Sequence, residues 1–188
     1  MAGFKGPGVI LAGGAGRRIG GNKAEVLLAG RPLWRHVADR VQPQVQDLVV
    51  NALAPLGPLG AIPDTIPDLG PLGGILTALD WAIAQGAERV LTVAVDTPFL
   101  PRDLVAGLAE VEGDIAMAET ADGAHGTTAL WDVRLAGDLR AALAAGTRKV
   151  TAWTADRAAL VRFEGTDPPP FFNVNTQADL SKAERWLA

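Results

Sequence analysis

Apolar residues occur along the chain in two spacings that alternate from one end to the other. Short, nearly continuous apolar runs are typical of buried strands, whereas apolar residues recurring every three to four positions are typical of amphipathic helices. Their alternation predicts a sheet built from β-α-β units. The predicted strands are residues 8–12, 46–51, 89–95, 114–118, 127–131 and 160–163. The predicted helices are residues 32–41, 76–85, 101–111, 135–145, 147–155 and 177–187.

Three details of this pattern refine the picture. The run at 89–95 is almost entirely apolar, which predicts a central strand covered on both faces. Residues 52–74 form a Pro- and Gly-rich loop that is too long for a simple connection, and residues 119–126 form a polar turn between two predicted strands. Thr176 stands three residues before Asp179, which predicts a capping box at the start of the last helix.

Composition narrows the class of protein. The 188 residues suit one domain spanning 1–188, and 48% hydrophobic with 20% charged residues is typical of a globular chain rather than a disordered one. The apolar runs are too short for a membrane span, and the first residues lack the apolar stretch of a signal peptide. The absence of cysteine excludes disulfides and thiolate metal sites and fits a cytoplasmic location. A net charge of −4 argues against nucleic acid as a partner.

The first strand runs directly into a glycine-rich, basic segment. Gly13, Gly14 and further glycines let the backbone turn tightly, and Arg17, Arg18 and Lys23 add positive charge. Free backbone N–H groups and arginines together favour a polyphosphate site. The segment matches neither the P-loop nor the dinucleotide fingerprint, because the glycine and lysine spacings differ. A glycine-rich turn with solvated arginines is the alternative interpretation.

Asp96 follows the predicted central strand at its carboxyl end. Ligands of open α/β sheets bind outside the carboxyl ends of the strands, and a carboxylate there suits Mg²⁺ on nucleotide phosphates. The alternative, an N-cap for the helix at 101–111, is less favoured because Asp96 lies several residues too early. Asp103 is the better candidate for that cap.

The glycine-rich segment, LAGGAGRRIGGNK at residues 11–23, resembles the signature of nucleotidyltransferases, and most closely that of the molybdenum cofactor guanylyltransferase (MobA) family. The family usually has an acidic residue at the position of Asn22, and the loop is one residue shorter here. Four later segments resemble the family in the same order and extend the match over nearly the whole chain. They are GRPLWRHV (30–37), GPLGGI (70–75), VDTPFLPRDL (95–104) and FNVNTQADL (172–180).

This resemblance implies a three-layer α/β/α sandwich, a Rossmann-like nucleotidyltransferase fold with a mostly parallel central sheet. It implies a Mg²⁺-dependent transfer of GMP from GTP to the molybdenum-bound molybdopterin cofactor, with release of pyrophosphate. Asp96 would bind the metal, and Lys23 and Arg17 would hold the β- and γ-phosphates as catalytic residues. The implied nucleotide-binding residues are Leu11, Ala12, Gly13, Gly14, Arg17, Lys23, Asn51, Asp64 and Asp96.

Asp64 and Asn51 are the candidates for recognising the base. Guanine presents N1–H and an exocyclic amine side by side, and one carboxylate can accept from both, whereas cytosine and uracil do not present this pair. Asp64 could instead be an Asx-turn residue beside Pro63. Two other nucleotidyltransferases are alternative functions: a molybdopterin cytidylyltransferase and a sugar-phosphate nucleotidyltransferase. A non-catalytic GTP-binding carrier or sensor is an alternative from another class.

The resemblance also implies a set of acceptor-binding residues, His125, Arg148, Asn173 and Asn175. Alternation places the two asparagines on one face of an extended segment. His125 in a polar turn could equally be structural, and Arg148 could be a solvated residue on a helix. A molybdopterin-inserting protein and molybdoenzyme chaperones are the implied protein partners.

Overall fold

The computed structural model describes residues 4, 6–13, 22–165 and 167–188. Its strands are β1 (Gly8–Leu11), β2 (Leu27–Leu28), β3 (Arg31–Pro32), β4 (Leu48–Asn51), β5 (Arg89–Ala94), β6 (Ile115–Thr120), β7 (Gly123–Asp132) and β8 (Ala158–Arg162). Its helices are α1 (Leu33–Val41), α2 (Pro71–Ala84), α3 (Leu104–Ala109), α4 (Ala136–Ala144), α5 (Val150–Thr154) and α6 (Gln177–Arg185). Short 3₁₀ turns lie at Lys23–Glu25, Gln42–Gln44 and Val133–Leu135.

Six strands form one sheet in the order β4-β1-β5-β7-β6-β8. β1 pairs in parallel with β4 and β5, and β6 pairs in parallel with β8, while β7 runs antiparallel to its two neighbours. In this register Leu11 lies opposite both Asn51 and Ala94. The carboxyl ends of β1, β4 and β5 therefore meet at one edge, as expected for a mostly parallel sheet.

Helices cover both faces of the sheet, which confirms the three-layer prediction. Alternation along β1 sends Ile10 into the cluster that contains residues of α1 and α3, and sends Val9 and Leu11 into the cluster that contains residues of α2, α4 and α5. The predicted central strand β5 is buried along most of its length, with Leu91 and Val93 fully buried. No described helix is long and apolar enough to span a bilayer.

A third apolar cluster joins the end of the chain to its beginning. Leu28 and Leu33 pack there with Phe99, with Val174 and with Leu180 of α6. The predicted capping box is present, because the Thr176 hydroxyl accepts from the Asp179 backbone N–H at 3.1 Å and the Asp179 carboxylate accepts from the Thr176 N–H at 2.9 Å. This cap anchors α6 and the extended segment before it.

The long loop is shorter than predicted, because α2 begins at Pro71 instead of residue 76. Gly70 has a positive φ of 65°, and Pro71 then begins the helix. Gly73 and Gly74 are poor helix formers, so the sequence pattern hid this first turn. The structure explains why they are glycines: a Cβ at Gly74 would lie 2.6 Å from the Asn51 side-chain oxygen, and a Cβ at Gly73 would lie 3.0 Å from the Leu69 Cβ.

The polar turn predicted at residues 119–126 is shorter in the structure than predicted. β6 and β7 continue through it, and Thr120 pairs with Gly123, so that only two residues form the turn. The polar residues of this hairpin lie beyond the apolar core, and hydrophobicity does not mark them as strand. The short hairpin β2–β3 was not predicted; its turn residues Ala29 and Gly30 both have positive φ, as a type I′ turn requires.

We expect the central strand to be the most sensitive part of the core. Replacing the fully buried Leu91 by alanine should lower the free energy of unfolding by about 2–5 kcal/mol, because it leaves a cavity in the core. The matched change Leu160→Ala on the half-exposed edge strand β8 should cost about 1 kcal/mol or less. Urea unfolding of both variants measures the difference, and equal losses would contradict the assignment of β5 to the core.

Candidate active site

A cavity of about 1270 Å³ opens at the edge of the sheet where β1, β4 and β5 end. Its lining comes from these strand ends, from the turn at Lys23–Glu25, from the start of α2, from β7 and from the segment before α6. The structure brings most of the predicted site residues together here. Those that line the cavity are Leu11, Ala12, Gly13, Lys23, Asn51, Asp64, Asp96, Asn173 and Asn175. The predicted residues Gly14, Arg17 and Arg18 lie outside the described part of the chain.

One end of the cavity holds a cluster of charged and amide groups. Asp96 lies two residues beyond β5, and its Oδ2 accepts a hydrogen bond of 2.6 Å from Lys23 Nζ. Lys23 Nζ also donates to Asn175 Oδ1. The side chains of Lys23 and Asp96 are only 17% and 18% exposed, so water screens this ion pair weakly. Residues separated by more than seventy positions in the chain thus form one cluster.

The segment before α6 presents its asparagines by strand-like alternation. Asn173 and Asn175 line the cavity, whereas Phe172 and Val174 pack into the third apolar cluster. The Val174 N–H donates to the Asp96 backbone carbonyl at 2.9 Å. On the other side, the Asn175 N–H donates to Asp179 at 3.1 Å. The capping box therefore also fixes the backbone of a cavity residue.

The Asp96 carboxylate has one oxygen left for a ligand. Its Oδ1 is buried and has no hydrogen-bond partner among the described residues. A buried carboxylate oxygen without a partner is costly unless a cation or a donor binds it. Asp96 Oδ1, with the nearby Asn175 Oδ1, supplies the hard oxygen ligands that Mg²⁺ prefers. No group of three or more His, Cys, Asp or Glu side chains suited to a metal occurs in the described residues.

The other end of the cavity holds Asp64 in a network of neutral donors. Asn51 Nδ2 donates to Asp64 Oδ1 at 2.8 Å and to the Ile62 carbonyl at 3.0 Å. Thr77 Oγ1 of α2 donates to the same Asp64 oxygen at 3.1 Å. Sequence reasoning missed Thr77, since nothing in the spacing of an apolar helix indicates a contact with the preceding loop. The two ends of the cavity thus differ in chemistry: one holds the Lys23–Asp96 ion pair, and the other holds a carboxylate surrounded by neutral donors.

His125 and Arg148 are not among the described residues that line the cavity. The His125 ring stacks on Phe171 with 4.6 Å between centroids, and its Nε2 lies 2.9 Å from Thr120 Oγ1. Burial lowers the pKa of the His125 imidazole below its ordinary value, although the Asp122 charge acts in the opposite direction. The imidazole is therefore neutral at neutral pH.

Arg148 lies after α4, where its guanidinium donates to the carbonyls of Leu143 and Thr147, both at 2.8 Å. These contacts satisfy carbonyl groups at and after the carboxyl end of a helix, where a positive charge is also favourable. The structure thus gives Arg148 a local role at the end of α4.

Comparison with known proteins adds independent information. The MobA-like NTP transferase domain matches residues 8–161. The chain is 44% identical over 198 residues to a molybdenum cofactor guanylyltransferase of Bradyrhizobium sp. (strain ORS 278), covering 97% of this chain and 93% of the relative. It is 42% identical over 183 residues to a molybdenum cofactor guanylyltransferase of Rhodobacter capsulatus, covering 94% of each.

The fold of this chain is also similar to that of solved structures. The molybdopterin-guanine dinucleotide biosynthesis protein A of Archaeoglobus fulgidus superposes with a TM-score of 0.77 at 25% identity, covering 95% of this chain and 97% of that one. A 4-diphosphocytidyl-2C-methyl-D-erythritol synthase of Anaerococcus prevotii shares the fold alone, with a TM-score of 0.72 at 15% identity and coverage of 96% and 95%. Because the family domain spans most of the chain and the relatives match it almost end to end, this protein belongs to the MobA-like NTP transferase family.

Proposed function

We propose that this chain is a molybdenum cofactor guanylyltransferase, which transfers GMP from GTP to a phosphate of the molybdenum-bound molybdopterin cofactor. The products are the guanine dinucleotide form of the cofactor and pyrophosphate. The relatives that match the chain almost end to end carry this name, which supports the choice of substrates. The observation that carries the proposal is the cluster of Asp96, Lys23 and Asn175 at the carboxyl edge of the parallel strands, with Asp96 Oδ1 buried and without a partner among the described residues.

In the proposed reaction the protein forms no covalent bond to either substrate. A phosphate oxygen of the acceptor attacks the α-phosphorus of GTP, a new P–O bond forms, and the bond from the α-phosphorus to the departing pyrophosphate breaks. The attacking oxygen is already an anion, so no general base is needed. Positioning and charge stabilisation therefore account for most of the catalysis.

Lys23 is the described cation best placed to stabilise the negative charge that develops on pyrophosphate. Its ammonium group lies in the cavity, in a weakly screened ion pair with Asp96. A fixed positive charge in such an environment stabilises a transition state more than it would in water. A contact of Arg17 with the phosphates of the departing pyrophosphate stays a prediction.

Asp96 would hold Mg²⁺ through Oδ1, together with oxygens of the nucleotide phosphates. When bound, the metal supplies Lewis-acid stabilisation of the phosphate charge. Asn175 is already within hydrogen-bond reach of Lys23, so it would keep the lysine aligned beside the carboxylate. Asn173 also lines the cavity and is the proposed contact with the acceptor.

Asp64 and Asn51 would recognise the base at the opposite end of the cavity, with Leu11, Ala12, Gly13 and Gly14 along the nucleotide. Acceptor roles for His125 and Arg148, and handover to a molybdopterin-inserting protein or molybdoenzyme chaperones, stay predictions.

A comparison of the four nucleotides as substrates tests the function directly. Pyrophosphate release in a single turnover with the molybdenum-bound molybdopterin cofactor should be faster with GTP than with CTP, UTP or ATP by about 100-fold or more, because a polar site rejects bases that leave its groups unpaired. Equal or faster use of CTP would indicate a cytidylyltransferase instead. A sugar phosphate that replaces the pterin would overturn the acceptor assignment, and GTP binding without any pyrophosphate release would indicate a non-catalytic protein.

We expect Asp96→Asn to reduce turnover by about 1000-fold or more, because the neutral amide binds Mg²⁺ poorly and leaves the phosphate charge uncompensated. Circular dichroism should show an unchanged fold. Asp103→Asn is the matched control, since this aspartate is exposed at the start of α3 and does not line the described cavity. Full activity of the Asp96 variant over a range of Mg²⁺ concentrations would remove the proposed metal ligand.

Lys23→Gln should lower kcat about 100- to 1000-fold, as expected for the loss of a group that stabilises transition-state charge. Lys23→Arg keeps the charge and should recover part of the rate. Arg102→Gln removes an exposed cation that does not line the described cavity and serves as the control. If Lys23→Gln raised only the KM for GTP and left kcat unchanged, Lys23 would be a binding residue without a role in the chemical step.

A further inference from the structure

The two oxygens of the Asp64 carboxylate are in different situations. Oδ1 accepts from Asn51 Nδ2 at 2.8 Å and from Thr77 Oγ1 at 3.1 Å. Two donors occupy the two acceptor positions of a carboxylate oxygen. The remaining acceptor capacity of Asp64 is therefore on Oδ2.

Oδ2 lies near two glycines that line or border the cavity. An ideal Cβ would be 4.0 Å from it at Gly13 and 3.8 Å from it at Gly73, so the absence of both side chains leaves space around this oxygen. No described residue donates a hydrogen bond to Oδ2, and Asp64 itself lines the cavity. A ligand in the cavity thus meets one carboxylate oxygen whose two acceptor positions no described residue fills.

Thr77 makes an unusual contact for a threonine inside a helix. Such hydroxyls commonly donate back to the carbonyl four residues earlier. Thr154 in α5 does so, with Oγ1 donating to the Val150 carbonyl at 3.0 Å. Thr77 is almost as buried, 8% exposed against 3%, but its hydroxyl donates across to the loop residue Asp64. This bond links the end of the cavity that holds Asp64 to α2.

Asn51 and Thr77 are the two described residues that donate hydrogen bonds to the Asp64 side chain. The residues on either side of it, Pro63 and Thr65, are exposed. Asn51 holds only one oxygen, so a carboxylate without the Thr77 bond would be free to rotate around that contact. Two donors from two different elements restrict this rotation.

We propose that Thr77 is a positioning residue for base selectivity: with Asn51 it holds Oδ1 of Asp64 so that Oδ2 faces the base of the bound nucleotide. The inference rests on the proposed function. Oδ2 accepts from the N1–H and the exocyclic amine of guanine, which together fill its two acceptor positions. Hypoxanthine keeps N1–H but lacks the amine, so the selectivity for GTP over ITP reports on the orientation of Asp64.

Thr77→Val tests this assignment, since it removes the hydroxyl and keeps the shape of the side chain. We expect the ratio of kcat/KM for GTP to that for ITP to fall about tenfold, as for the loss of one hydrogen bond to a charged group. The change should be in KM for GTP, with kcat nearly unchanged, because the bond acts on binding. Thr77→Ser keeps the hydroxyl and should keep the wild-type ratio. Calorimetric Kd values for GTP and ITP give the same comparison without turnover.

Thr154→Val is the matched control, because it removes a buried helical hydroxyl that has the ordinary intrahelical bond. It should leave the GTP-to-ITP ratio unchanged. Thr77→Ala, checked by thermal unfolding, replaces the valine variant if that one does not fold. The inference is overturned if Thr77→Val keeps the wild-type ratio, if Thr154→Val lowers the ratio equally, or if the wild type does not discriminate GTP from ITP. The proposed function fails separately, when the wild type releases no pyrophosphate from GTP with the molybdenum-bound molybdopterin cofactor.

Discussion

Parallel pairing of β1 with both of its neighbours is the constraint on which the site depends. Leu11 lies opposite Asn51 on one side and opposite Ala94 on the other. The chain therefore leaves three strands at the same edge, and Gly13, Asn51 and Asp96 reach one cavity. A shift of β1 by one residue would turn Val9 and Ile10 to the wrong faces of the sheet, so the two apolar layers also hold this register in place.

Residues near the end of the chain hold Asn175 in the cavity beside the strand ends. Phe172 and Trp186 pack edge to face at 5.0 Å, and Phe99, in the segment after Asp96, packs against Trp186 at 5.5 Å. This aromatic packing and the capping box of α6 hold Asn175 against Lys23. The polar cluster thus stands on a rigid apolar base, which is how a site keeps its geometry without many contacts of its own.

Local chemistry in the sequence was enough to predict much of this arrangement. Apolar runs located the strands, and Asn51 and Asp96, at the ends of two of these runs, located the cavity, because carboxyl ends of parallel strands share one edge. Predictions were wrong where a local preference was overridden. The first turn of α2 contains Gly73 and Gly74, which weaken a helix, but Gly74 leaves space beside Asn51 and Gly73 leaves space beside Leu69. The residues next to the hairpin turn at Thr120 and Gly123 are polar, so the apolar pattern predicted these two strands but not their ends at the turn.

The sequence by itself determined the α/β architecture, the carboxyl ends of β1, β4 and β5 and the family resemblance, since these depend on periodicity and on residues close together in the chain. Only the tertiary structure decided which side chains meet. Lys23 and Asn175 are 152 positions apart, and Thr77 reaches Asp64 from a helix whose sequence is otherwise apolar. Such contacts arise from packing of the whole chain, because no local spacing encodes a hydrogen bond between distant elements. For the same reason, only the folded chain shows that His125 stacks on Phe171, with neither side chain among the described residues that line the cavity.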